Sequence, residues 1–174
     1  SYVFPKPEEV ISNILRVTDY LRGIIREEGG DPYRETLTLV QTQKGGYFTY
    51  DPEGGLWRMY LFVEDTISRD LPDTPELFEL SGEAFGRFQR QIGSFPADTL
   101  FETIRDFHNT PARYQQLQDA ITRNEAGRLG EVAAEIEFCC ERERDVHVLM
   151  DALAAGEIPL RVTHNDTKLN NVLL

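Results

Sequence analysis

The chain has 174 residues, 40% of them hydrophobic and 28% charged, which is the profile of a globular protein of one domain or two small lobes. Eighteen Lys and Arg stand against 30 Asp and Glu, a formal net charge of −12 that argues against nucleic acid and anionic membrane surfaces as general partners, while still allowing a local basic pocket. No apolar run is long enough to span a bilayer, and Ser1-Tyr2-Val3-Phe4-Pro5-Lys6 lacks the apolar core of a secretory signal.

Apolar residues at helical spacing predict a first helix over 7–28, with Val10, Ile11, Ile14, Leu15, Val17, Leu21, Ile24 and Ile25 on one stripe. Pro7 suits its first position, Glu8 and Glu9 suit its positive end, and Gly29-Gly30 ends it. Strands are expected at 36–42, 47–50 and 56–63, the last two joined as a hairpin by Asp51-Pro52-Glu53-Gly54-Gly55. Trp57, Met59, Leu61 and Val63 share one face of the third strand, and Arg58, Tyr60 and Phe62 the other. Bulk on both faces predicts a central, mostly covered strand.

Residues 64–73 form a polar connector. Beyond it the pattern is helical to about Ala155. Thr74-Pro75 opens a helix with Leu77, Leu80, Ala84, Phe85, Phe88 and Ile92 inward. Asp98 caps a short one with Leu100, Ile104 and Phe107 inward. Thr110-Pro111 opens a third carrying Tyr114, Leu117 and Ile121. A long helix from Leu129 to Leu153 ends at Gly156. The adjacent Cys139 and Cys140 are poorly placed to form a disulfide with each other, suit a reducing, cytoplasmic compartment, and read as thiols on a packed helix. The run Glu141-Arg142-Glu143-Arg144-Asp145 reads as a solvated face, with His147 exposed beside it. This order predicts an α+β protein in two lobes: residues 1–65, helix and antiparallel strands, and residues 66–174, mostly helical.

The chemistry concentrates at the end. After the extended run 158–163 comes His164-Asn165-Asp166-Thr167-Lys168-Leu169-Asn170-Asn171, of the form H-x-D-x-K-x-x-N, leading into Val172-Leu173-Leu174. This segment resembles the catalytic loop of the protein-kinase-like superfamily. Val162-Thr163 and Asn165 narrow the similarity to the aminoglycoside phosphotransferase family, nearest its N-acetylhexosamine 1-kinases. Val3-Phe4, Glu27-Glu28-Gly29-Gly30, Arg34-Glu35-Thr36-Leu37-Thr38, the run from Trp57 to Asp65 and the run from Phe107 to Tyr114 extend it over nearly the whole chain.

The resemblance implies a protein-kinase-like fold and transfer of the ATP γ-phosphate, with Mg²⁺, to a sugar hydroxyl, foremost the anomeric hydroxyl of an N-acetylhexosamine. Aminoglycoside, choline and homoserine are the neighbouring acceptors. Asp166 would take the acceptor proton, and the amide oxygen of Asn171 would bind the metal. Lys168 would neutralise charge on the transferring group, a role in which related small-molecule kinases vary. His164 would brace the loop by hydrogen bonds. Glu64 and Asp65 occupy the hinge, where main-chain groups would meet adenine; a solvated linker is the competing account. His108 and Arg113 could reach a sugar or phosphate, or serve as helix caps.

Three parts of such a kinase have no counterpart in the sequence: a Gly-rich phosphate loop ahead of the first helix, a strand lysine, and a second metal-binding Asp after the loop. The reading therefore expects an internal piece of a longer kinase, inactive alone. Its rival is a non-catalytic, kinase-like binding piece.

Overall fold

In a computed structural model that describes residues 4–173, the chain is α+β and divides into two compact units. One contains the described residues up to Thr103 together with those from Arg161 onward; the other is Ile104–Leu160. No helix among the described residues is long and apolar enough to cross a membrane.

The first unit is organised by α1 (Pro7–Glu27) and α3 (Pro75–Ile92). Pro occupies the first turn of each, where the missing N–H costs no intrahelical bond. Helix α1 stops where the paired glycines predict. Gly29 takes φ +80°, its N–H bonds to the Arg26 carbonyl, and the Gly30 N–H reaches back to Ile25, so the last carbonyls are satisfied. Leu21 and Ile25 of α1 meet Ile92 of α3 and Phe95, with Val17, Tyr20, Phe88, Leu100 and Val162 packed around them. Tyr20 stands edge-on to Phe95 at 5.2 Å.

The covered stripe of α3 differs from the predicted one. Leu77, Ala84, Phe85, Phe88 and Ile92 are at least partly covered as expected, but Leu80 is 50% exposed, and Ser81 and Gln91 are buried in its stead. The polar Gln91 is tolerated because its amide donates to Glu28 Oε2 at 2.8 Å.

Arg90 grips the same Glu28 carboxylate with both terminal guanidinium nitrogens, Nη1 and Nη2, tying the ends of α1 and α3 together. The Arg90 and Gln91 hydrogen bonds hold the Glu28 carboxyl down at about 2, against an ordinary 4.5. A carboxyl depressed on folding stabilises the fold fully above its unfolded value and loses that contribution as pH falls toward the folded one. The expected result is that wild type exceeds Glu28→Gln in stability at neutral pH. The gap should close as pH drops from 4.5 to about 2, and shrink in high salt because both partners are partly exposed. Urea unfolding of both proteins across that range measures it.

The expected short helix at 98–107 is absent. A 3₁₀ turn, Ala97–Thr99, stands alone, because Asn13 captures the backbone of Phe101 on both sides: Nδ2 donates to its carbonyl at 2.8 Å, and its N–H donates to Oδ1 at 2.9 Å. With Leu100 extended and Asp106 at φ +54°, a helix cannot run through.

After a single helical turn, α2 (Pro32–Glu35), capped by Asp31, come β1 (Thr49–Tyr50) and β2 (Leu56–Trp57), antiparallel with Thr49 opposite Trp57 and Tyr50 opposite Leu56. The turn is locked by Asp51, which accepts from the Gly55 N–H and from Trp57 Nε1, both at 2.6 Å, while Gly54 supplies φ +83°. The strand expected at 36–42 survives as a short antiparallel pairing: Val40 N–H to the Met59 carbonyl, Leu61 N–H to the Thr38 carbonyl, and Leu39 opposite Tyr60. Helix α1 is fastened to this layer by Arg22, which donates to the Leu37 carbonyl and Thr38 Oγ1, and by Glu8, which accepts from the Tyr50 hydroxyl. The third strand is not covered as predicted. Trp57, Met59 and Phe62 are 64%, 66% and 86% exposed, so the two-stranded sheet and the helix fastened to it leave these side chains largely uncovered among the described residues.

In the second unit α4 (Thr110–Arg123) begins at Asn109, whose Oδ1 accepts the Ala112 N–H at 3.2 Å, and ends at Asn124 in the left-handed region. Tyr114, Leu117 and Ile121 are partly covered, as their spacing predicts. Replacing Asn109 with Ala should cost the unit about 1 kcal/mol, with Asn109→Ser near wild type, read as hydrogen-exchange protection at Ala112 and its neighbours. Equal protection in Asn109→Ala would show that the cap contributes nothing.

The long helix predicted over 129–153 is two short ones, α5 (Ala133–Cys140) and α6 (Val148–Ala154), flanked by 3₁₀ turns at Leu129–Glu131 and Glu143–Asp145. The break has a local cause. Arg142 leaves the helical region, and its guanidinium donates to the Phe138 carbonyl at 2.8 Å while lying 3.5 Å over the Phe138 ring, so it caps α5. His147 is exposed, as expected; Cys139 and Cys140 are free thiols, the second exposed and accepting from Gln118. None of the described residues between 104 and 160 is fully buried.

Candidate functional site: the loop 161–172

The segment carrying the sequence motif lies on the first unit, against α3. Arg161 donates to the Gly93 carbonyl at the end of α3, and Val162 packs on the core around Leu21, Ile25 and Ile92. The His164 ring stands edge-on to Phe85 at 5.1 Å and to Phe88 at 5.8 Å. It thus braces the segment through aromatic edges rather than the hydrogen bonds the sequence suggests. Asn165 then reverses the chain at φ +63°, a conformation Asn accepts more readily than most residues, and its Oδ1 accepts from the Thr163 hydroxyl. A 3₁₀ turn, Leu169–Asn171, closes the loop over the buried Leu169.

These anchors bring the three loop residues singled out from the sequence together. Asn171 Nδ2 donates to Asp166 twice, to its backbone carbonyl and to Oδ2, each at 2.8 Å. Lys168 Nζ lies 3.6 Å from the same Oδ2, and the Lys168 N–H bonds to the Asp166 carbonyl at 3.0 Å. The side chains of Lys168 and Asp166 are 57% and 63% exposed, so their ion pair adds little stability and both remain open to a solute. With Nδ2 committed to Asp166, Oδ1 is the Asn171 atom suited to a hard cation.

Glu64 and Asp65 lie in the connector, both exposed, with Asp65 at φ +54°. The Glu64 carbonyl accepts from Arg34 Nη1 at 3.1 Å, which leaves one of its lone pairs for another donor. A few residues on, the connector meets the loop. Ser68 Oγ donates to the Asn170 carbonyl at 3.0 Å, and Asn170 Nδ2 donates to Asp70 Oδ1 at 2.9 Å. Sequence reasoning missed Ser68, Asp70 and Asn170. The only hint was the doubled Asn170-Asn171, where the motif uses one. His108 and Arg113 lie in the other unit, where Arg113 donates to the Phe107 carbonyl and stacks over that ring, a helix-end role.

Among the described residues no group of three or more His, Cys, Asp or Glu side chains could hold a metal ion. The Asn171 amide oxygen is a single hard donor, which would suit Mg²⁺ that arrives on a nucleotide, since this ion keeps water and phosphate ligands and takes only one or two from protein. No protein-family model matches the chain.

Proposed function

We propose that the chain is part of a small-molecule kinase of the protein-kinase-like fold, transferring the γ-phosphate of ATP to a sugar hydroxyl, foremost the anomeric hydroxyl of an N-acetylhexosamine. The observation that carries this reading is the pairing of Asp166 with Asn171 on an exposed loop braced against α3 and joined to the connector. Asp166 accepts the proton of the acceptor hydroxyl as its oxygen attacks the γ-phosphorus, the bond to the β,γ-bridging oxygen breaks, and ADP departs. Asn171 would hold the nucleotide's Mg²⁺, which when bound would supply charge neutralisation on the phosphates. Lys168, tethered beside Asp166, offers a further cation to the transferring group. The main chain of Glu64 and Asp65 receives adenine.

The test is ADP release and phosphorus NMR with the full-length protein, Mg·ATP and N-acetylglucosamine or N-acetylgalactosamine. Aminoglycoside, choline and homoserine serve as competing acceptors. A sugar 1-phosphate that forms only with Mg²⁺ supports the proposal. A preference for another acceptor would replace the substrate, and no transfer to any of them would favour a non-catalytic binding piece.

A further inference from the structure

We propose that Asn170 is a positioning residue, through which the connector sets the place of the Asp166–Asn171 pair; this rests on the phosphotransferase reading. Asn170 is gripped from two sides. Ser68 holds its backbone carbonyl at 3.0 Å, and Asp70 holds its side-chain amide at 2.9 Å. Two bonds to different atoms of one residue fix its orientation as well as its position. They join segments about 100 residues apart in the chain.

The next residue is Asn171, in the same 3₁₀ turn and bonded twice to Asp166. A shift at Asn170 therefore passes through one peptide unit to the metal-binding amide and through two hydrogen bonds to the base. On the far side the turn is fixed by buried Leu169. Little packing holds the connector itself here, since Ile67 and Leu71 are 52% and 76% exposed. The hydrogen bonds of Ser68 and Asp70 are thus what ties it to the loop. They link the end of the site that would receive adenine to the end that would do the chemistry.

The experiment compares Asp70→Ala, Asp70→Asn and Ser68→Ala with wild type in the full-length protein, after thermal unfolding confirms that each folds. In Asp70→Ala the amides of Asn171 and Val172, which close the turn, should exchange about tenfold faster, and kcat should fall about tenfold with the KM for ATP within about twofold. Ser68→Ala should act in the same direction. Asp70→Asn keeps an acceptor oxygen and should restore both readouts, which a role of Asp70 as a bare charge would not allow. Unchanged exchange in Asp70→Ala overturns the proposal. So does a raised KM for ATP with kcat intact, which would make Asp70 a nucleotide-binding residue. Exchange needs no turnover. Faster exchange in a protein that transfers no phosphate would therefore leave the contact standing and overturn the function, and with it the positioning role.

Discussion

On the proposed phosphotransferase reading, replacing Asp166 with Asn should lower phosphoryl transfer by about 10²–10⁴-fold and leave the fold intact. The substitution separates the carboxylate's two tasks. An amide oxygen at position 166 can still accept from Asn171 Nδ2, so the 2.8 Å bond that organises the loop is retained. The second bond, from Asn171 Nδ2 to the backbone carbonyl of residue 166, does not involve the side chain at position 166. What the amide cannot do is take a proton from an acceptor hydroxyl. The loss should therefore fall on kcat, with the KM for ATP little changed. Asn171→Ala should differ: it removes the proposed metal ligand and both loop bonds, so on that reading its activity should also become more demanding in Mg²⁺. Equal activity of wild type and Asp166→Asn would remove Asp166 from the chemistry.

The second large effect concerns the first unit's core. Ile25 and Ile92 are each 1% exposed and belong to the cluster through which α1 and α3 pack. Truncating either to Ala removes buried apolar surface and leaves a cavity, at a cost of about 2–5 kcal/mol. That is a large share of the roughly 5–15 kcal/mol that holds a typical domain folded. Because Val162 rests on the same cluster, these variants should also loosen the loop that carries Asp166. Leu80→Ala is the control: it lies on the same α3 but is 50% exposed, and it should change stability by no more than about 0.5 kcal/mol. Denaturant unfolding decides. A cost below about 1 kcal/mol for both isoleucines would show that the α1–α3 contact is not what holds the unit.

Sequence reasoning succeeded where structure is local. Helix α1 was legible because Pro7, the apolar stripe and Gly29-Gly30 act within a turn or two of themselves. The residues Asp166, Lys168 and Asn171 were singled out by the likeness of their segment to a kinase catalytic loop, and the tight turn between them places Asn171 Nδ2 2.8 Å and Lys168 Nζ 3.6 Å from Asp166 Oδ2. Helical period alone failed over 129–153, where the apolar spacing continues but Arg142 finds the Phe138 carbonyl and ends α5. It failed at 98–107 for a non-local reason, because Asn13, 88 residues earlier, takes the backbone bonds that a helix would need. Leu80 was misplaced because spacing locates a stripe on a helix but not its edges, and Glu28 makes burial of Gln91 acceptable.

Taken alone, the sequence determined much of the local structure, since caps, turns, helical stripes and short-range loop bonds are encoded by neighbours in the chain. Only the tertiary structure decided which groups meet across long separations: Asn13 with Phe101, Glu28 with Arg90 and Gln91, His164 with Phe85 and Phe88, and Asn170 with Ser68 and Asp70. Such contacts depend on how helices pack, and packing is chosen by the burial of the whole unit rather than by any one segment.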